Sequence, residues 1–195
     1  MTIFKKMGVD EKVIFLHIPK TGGSSITKAF EESGWFQNCI AFGVQHSSLE
    51  YIYTVLLKKD LSKVKRVFTV IRNPISRLVS EIRGGGHYNT VRTNSNFDIT
   101  KAVDMALRNN RNLHVNPMVS FFCGQGNFEQ LEIFKFEDPE HRKKIKEICG
   151  YSGKFPHITG DTYAPDLDYS LPRALEETIK QHYIEDFERF YPELL

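Results

Sequence analysis

The residues best suited to chemistry in this chain are gathered in FLHIPKTGGSSI, residues 15–26. Gly22 and Gly23 allow a tight turn and let backbone N–H groups come close to an anion. Ser24 and Ser25 add hydroxyl donors, and Lys20 adds a positive charge. An ATP-binding loop of the GxxxxGK[ST] kind places its lysine after the glycines, whereas here it stands before them. A lysine on the entry side of the turn reaches a terminal phosphate from the edge opposite the helix, where a bond to a transferred group would lie. The same residue types also build ordinary strand-to-helix turns, so position matters as much as composition.

A second polar break occurs in VFTVIRNPISRLVSEI, residues 67–82. Arg72 ends an apolar run and Ser80 follows eight residues later, about two helical turns on. The arginine can grip a phosphate with its bidentate fork and the serine can add a hydroxyl. Asn73 and Arg77 lie between them, Arg77 either solvated or paired with Glu81. Two anion sites at the ends of neighbouring strands imply one ligand with two separated phosphates.

Among the titratable side chains, histidine is the one that can serve as a base near neutral pH. Of seven histidines, His46 just before a helix is the first candidate and His87, within RGGGHYNTVR, the second. His17 lies in an apolar run and is expected to be a packed core residue. Glu50 and Glu81 are further carboxylate candidates, though solvated helix positions fit both better.

The elements that must position these groups follow from periodicity. KVIFLHI (12–18), RVFTVI (66–71) and LEIFKF (131–136) are apolar runs of strand length. Ile26, Ala29 and Phe30 mark a helix beginning at Ser24 or Ser25, and Pro74 opens another with Ile75, Leu78, Val79 and Ile82 on one face. Ser47 with Glu50 forms a capping box for HSSLEYIYTVLLKK, Asp98 caps ITKAVDMALRN, and Asp138-Pro139 starts EHRKKIKEIC. Leu175, Ile179, Tyr183 and Phe187 predict one long terminal helix. Strands alternating with helices predict a three-layer α/β fold with a mainly parallel sheet, whose ligands bind beyond the carboxyl ends of the strands.

At 195 residues the chain fits one domain, 1–195. Charged residues make up 26% and apolar ones 41%, as in soluble globular proteins, and a formal net charge of +2 is too small to argue for nucleic acid as the partner. The three cysteines, Cys39, Cys123 and Cys149, have no zinc-binding spacing and suit a reduced compartment. The first residues, MTIFKKMGVDEKVIF, contain only short apolar pieces interrupted by charge, so neither a leader nor a membrane anchor is expected; with Met1 as the native start, the expected location is cytoplasmic.

FLHIPKTGGSSI and VFTVIRNPISRLVSEI resemble the two signature segments of sulfotransferases that use 3′-phosphoadenosine 5′-phosphosulfate (PAPS), in particular the carbohydrate and heparan-sulfate type. QHSSLEYI, LEIFKFEDPE and IKQHYIEDFERFY extend the resemblance. It implies a P-loop-like fold in which Lys20, Thr21, Gly22, Gly23, Ser24 and Ser25 hold the 5′-phosphosulfate while Arg72 and Ser80 hold the 3′-phosphate. It further implies His46 as base, Lys20 as the stabiliser of the leaving phosphate, and Phe155, Pro156 and His157 beside the adenine. PAPS would be the donor and 3′,5′-adenosine bisphosphate (PAP) the product, without a metal. The acceptor would be a hydroxyl of a carbohydrate or small metabolite, with neither nucleic acid nor membrane as partner. RGGGHYNTVR departs from the family, where many members continue the helix with aromatics, so the sequence does not name the acceptor. The competing readings are a non-catalytic nucleotide-binding protein of the same fold and a P-loop phosphotransferase.

Overall fold

The computed structural model describes residues 2–37, 46–84, 97–109, 111–128, 130–158 and 167–195. The chain forms two compact units, Met1–Ile71 with Met118–His157 and Arg72–Pro117 with Ile158–Leu195.

The first unit is built on a five-stranded sheet of order β3-β1-β2-β4-β5. Strands β1 (Thr2–Lys6) and β2 (Val9–Leu16) form an antiparallel hairpin that turns through Gly8 at φ 75, and β3 (Trp35–Gln37) lies antiparallel to β1. On the other side β2 runs parallel to β4 (Val64–Ile71), and β4 parallel to β5 (Leu131–Lys135). The sheet is therefore mixed, not mainly parallel. The difference arises at the N-terminus, where Lys5 and Lys6 interrupt the apolar pattern although Thr2, Ile3 and Phe4 are buried. The two long parallel strands carry their apolar residues at the end that leads to the polar loops: Val13–Leu16 and Val67–Ile71 are buried, while Val9–Glu11 are exposed.

One face of this sheet is covered by α1 (Gly23–Glu32) and α5 (Pro139–Cys149). Ile26, Ala29 and Phe30 of α1 join Phe4, Phe15, Phe68 and Phe134 from the strands in one core, to which α5 adds Ile145 and Cys149. Phe30 stacks on Phe4 with ring centroids 3.9 Å apart, and Phe15 on Phe68 at 4.9 Å. Trp35 Nε1 donates to the Cys149 carbonyl at 2.9 Å, tying β3 to the end of α5.

The helix after His46 begins as α2 (Leu49–Tyr51) and widens into a π-helical turn over Ile52–Leu56. Its cap is Ser48, whose Oγ accepts from Tyr51 N at 3.3 Å, one residue beyond the expected Ser47. Thr54 donates its hydroxyl to the Glu50 carbonyl at 2.7 Å, in competition with the helical ladder, and Leu57 N reaches back five residues to Ile52 O at 2.9 Å.

The second unit contains α3 (Pro74–Gly84), α4 (Ile99–Arg108), α6 (Arg173–His182) and α7 (Ile184–Phe190). Asp98 caps α4 as expected, accepting from Thr100 N at 2.9 Å, just as Asp138 caps α5 in the first unit by accepting from Glu140 N at 2.9 Å. The expected single terminal helix is divided at Tyr183 (φ −105, ψ 28), whose hydroxyl donates to the Val115 carbonyl at 2.6 Å. Ile179, Tyr183 and Phe187 are nonetheless buried on one face, so the apolar period continues through the break. Among the described residues, no helix is long and apolar enough to cross a membrane.

Replacing Phe30 by alanine removes a fully buried ring from the centre of the first core. The expected loss is about 3–5 kcal/mol, read as a lower urea midpoint; a loss below about 1 kcal/mol would contradict this packing.

Candidate functional site

In the first unit the turn between β2 and α1 is fixed from beneath. The carbonyl of Leu16 accepts from Thr69 Oγ1 at 2.8 Å and from Ile18 N at 3.2 Å. Ile18 and Thr21 are fully buried, and the Thr21 hydroxyl donates to Ile18 O at 2.8 Å. The chain then passes through two left-handed residues, Lys20 at φ 66 and Gly22 at φ 88. A non-glycine residue pays about 1–2 kcal/mol for that conformation, so the turn imposes its geometry on Lys20 against local preference.

Gly22 is the N-cap of α1 and, having no side chain, makes no cap hydrogen bond itself. The first-turn N–H groups of an α-helix are not used within it, and together with the dipole they favour an anion. Each glycine is required for its own reason. At Gly22 the positive φ already disfavours a side chain, and an added Cβ would lie 3.0 Å from the Phe136 ring. At Gly23 an added Cβ would overlap the His17 ring. Ser24 is exposed, while Ser25 and Lys20 are half-buried.

His17 is thereby corrected from a core residue to part of this loop. It is the first residue beyond β2 and is half-buried, with its ring stacked on Phe15 at 5.3 Å. The His46 ring meets it edge-on at 4.8 Å, and His46 Nδ1 lies 3.0 Å from the His17 carbonyl oxygen. A carbonyl only accepts, so Nδ1 carries the proton and donates, and in the neutral ring Nε2 carries the lone pair. The structure thus brings His46 beside the glycine turn with the tautomer that a base using Nε2 requires. Glu50 is half-buried rather than solvated, and its Oε2 accepts from Asn127 Nδ2 at 3.1 Å.

The second unit holds the other predicted group. Asn73 caps α3: its Oδ1 accepts from Ile75 N at 3.0 Å and Ser76 N at 3.1 Å, and its carbonyl accepts from Arg77 N at 2.9 Å. Arg72 Nε donates to Ser76 Oγ at 3.1 Å, which steadies the guanidinium at the helix entry. Ser80 is half-buried on α3.

Glu81, expected at a solvated position, and Arg77, left between solvated and paired with Glu81, are both in the interior, with 0% and 1% exposure. Arg77 Nη2 donates to the His114 carbonyl at 2.9 Å, and His114 Nδ1 lies 3.0 Å from Glu81 Oε2. His114 N donates to Asn112 Oδ1 at 3.0 Å, so backbone and ring are both held. Burial pushes the Arg77 pKa down, while Tyr183, Asp186 and Glu81 push it back up. Sequence reasoning missed His114 and the fully buried Asp186. The available signal was spacing: Pro74, Arg77, Leu78, Glu81 and Ile82 recur at helical intervals and form the buried face of α3.

His87, Tyr88 and Arg92 lie outside the described residues. Of the residues expected near an adenine, Phe155 lines an open cleft of about 640 Å³ with Arg142, Lys146, Tyr151 and Lys154, a basic surface along α5. Pro156 is half-buried and His157 exposed.

Comparison with known families gives one finding: the sulfotransferase family matches residues 6–192, and the chain belongs to that family. No curated protein and no solved structure matches it.

Arg77→Met would leave Glu81 and Asp186 in the interior without the guanidinium that compensates them. Urea denaturation should show a loss of about 3–5 kcal/mol; a variant as stable as the parent would mean that these carboxylates do not depend on Arg77.

Proposed function

We propose that this member of the sulfotransferase family transfers a sulfuryl group from PAPS to a hydroxyl of a carbohydrate or another small acceptor, leaving PAP. Residues 1–195 would act as one sulfotransferase-like domain of the three-layer, P-loop-like kind. The observation that carries the reading is the turn of Lys20 to Gly23. It joins a buried strand to a helix whose N-cap is a glycine through two left-handed residues, within a family match that spans residues 6–192.

In this reading the main-chain N–H groups from Thr21 to Ser24, with the hydroxyls of Ser24 and Ser25, receive the 5′-phosphosulfate. Thr21 contributes through its backbone, because its hydroxyl is committed to Ile18. Arg72 and Ser80 hold the 3′-phosphate, the arginine already oriented by Ser76. PAPS supplies a sulfuryl group joined to a phosphate that departs as an anion. Lys20 neutralises the charge that grows on the bridging oxygen as the S–O bond breaks. His46 takes the acceptor's proton on Nε2 while the acceptor oxygen forms its new bond to sulfur on the side opposite the leaving phosphate. Neither the lysine nor the histidine requires a metal for these steps.

Two substitutions separate binding from chemistry. Lys20→Ala should lower kcat by about 10²–10³-fold while PAP affinity changes far less; unchanged turnover would remove Lys20 from its role. Calorimetric titration in EDTA should show PAP binding in preference to 5′-AMP and ATP, weakened by about ten- to a hundredfold in Arg72→Ala. Equal or better binding of ATP would defeat the proposal.

A further inference from the structure

We propose that the basic cleft beside α5 is a docking groove for an extended acidic peptide segment of a partner protein, with acidic residues at alternate positions and apolar residues between them. The groove is apart from the glycine turn and does not depend on which reaction occurs there.

The groove has two walls. One is a single stripe of α5 and its cap, Pro139, Arg142, Lys143, Lys146, Glu147 and Gly150, which recur at helical spacing. At about 1.5 Å per residue this stripe is about 16 Å long. Gly150 ends the helix at φ 72, and the chain turns there into the second wall, which contributes Tyr151, Ser152, Lys154 and Phe155. That wall is fixed from behind. The Tyr151 hydroxyl donates to Glu32 Oε2 at 2.8 Å, an added Cβ on Gly153 would stand 2.6 Å from the same hydroxyl, and Phe155 packs against the core shared by α1 and α5. Glu32 is the last residue of α1 and Gly23 the first. The Tyr151 contact therefore lies at the end of α1 away from the glycine turn, about 14 Å along the helix.

The charge of the groove is one-sided. Arg142, Lys143, Lys146 and Lys154 line it with a single carboxylate, Glu147. Lys143 reaches Glu140 only at 3.9 Å with both side chains mostly exposed, while Arg142 and Lys154 make no ion pair among the described residues. Such a surface draws an acidic ligand. The same cleft holds the half-buried rings of Tyr151 and Phe155, and the Lys146 ammonium lies 6.0 Å from the Tyr151 ring centre. Arg142 and Lys146 are one helical turn apart, a rise of about 6 Å. Alternate side chains of an extended peptide repeat at about 6.6 Å, so acidic residues two apart meet successive turns of α5 while apolar ones cover the rings. The main chain of the second wall favours a peptide over an anionic polysaccharide. Among the described residues, the N–H groups of Ser152, Gly153, Lys154 and Phe155 donate no hydrogen bond, and an extended peptide offers them carbonyls in the manner of an added strand.

The test is fluorescence anisotropy of the full chain with a labelled peptide that alternates glutamate and leucine over about five residues, the length that spans the groove. The peptide should bind, and binding should be about tenfold or more weaker in the double variant Arg142→Glu with Lys154→Glu. Both side chains are exposed and their replacement breaks no ion pair, so the variant should keep a dispersed amide spectrum and a PAP affinity within about twofold of wild type. A peptide of the same composition with its glutamates consecutive should bind less well. Absence of binding, equal binding of the two peptides, or binding that the folded double variant retains would each overturn the proposal. So would tighter binding of dextran sulfate than of the peptide, charge for charge, since the ligand would then be a polysaccharide. A loss of PAP binding in the folded variant would assign the groove to the nucleotide and overturn the proposal as well. Wild type that binds the peptide but neither binds PAP nor transfers a sulfuryl group would defeat the proposed function and leave the docking groove standing.

Discussion

The chain leaves β2 at Leu16 and enters α1 at Gly23, and the reversal in the six residues between them governs the site. The connection between a buried strand and a helix packed back on the same sheet is made here within six residues. It places Lys20 and Gly22 in the left-handed region and sends Ile18 and Thr21 inward, where the threonine hydroxyl satisfies a carbonyl that the turn would otherwise bury. The conformational cost at Lys20 is offset by the apolar burial of Ile18 and by the packing of α1 through Ile26, Ala29 and Phe30. The position of the lysine is therefore set by the core and not by the lysine's own preference.

The second unit solves a comparable problem with charge. The buried face of α3 contains Arg77 and Glu81 among apolar residues, and Asp186 adds a second carboxylate from α7. Buried carboxylates are tolerable only when compensated; the guanidinium supplies the opposite charge, and His114 Nδ1 lies 3.0 Å from Glu81 Oε2. The guanidinium's bond to the His114 carbonyl, together with the Tyr183 bond to Val115, draws the segment around residues 112–115 onto the helices. The helix so fixed is the one that carries Ser80 and follows Arg72. The interior charges thus determine where the exposed polar groups stand, although they touch no ligand themselves.

This arrangement also explains what the sequence did and did not reveal. The apolar runs ending at Leu16 and Ile71, the glycine turn and the caps at Asp98 and Asp138 were legible because each expresses a local rule: continuous burial, positive φ, or an unsatisfied helix end. The strand Thr2–Lys6 was not legible, because its two lysines mask a pattern that only pairing with Val9–Leu16 completes. His17 looked like a core residue because it follows four buried apolar positions, Val13 to Leu16; the strand ends one residue before it. Glu81 was read as solvated and Arg77 left between solvated and paired because charge usually overrides periodicity, yet their spacing belongs to the buried face. Only the compensating partners, which lie far along the chain, decide between those readings.

The N-terminal hairpin that makes the sheet mixed has a consequence for the order in which the chain assembles. Pairing Thr2 with Phe15 and Lys6 with Val9 closes a short loop, whereas Leu16 must wait for Thr69, and Ile71 for Lys135. Loop-closure entropy makes the near contacts accessible first. The hairpin can therefore present β2 as a ready template while the rest of the chain is still being synthesised. Residues 9–16 then commit early to a register on one side, and the strand whose end carries the glycine turn acquires its correct edge before its parallel neighbour arrives.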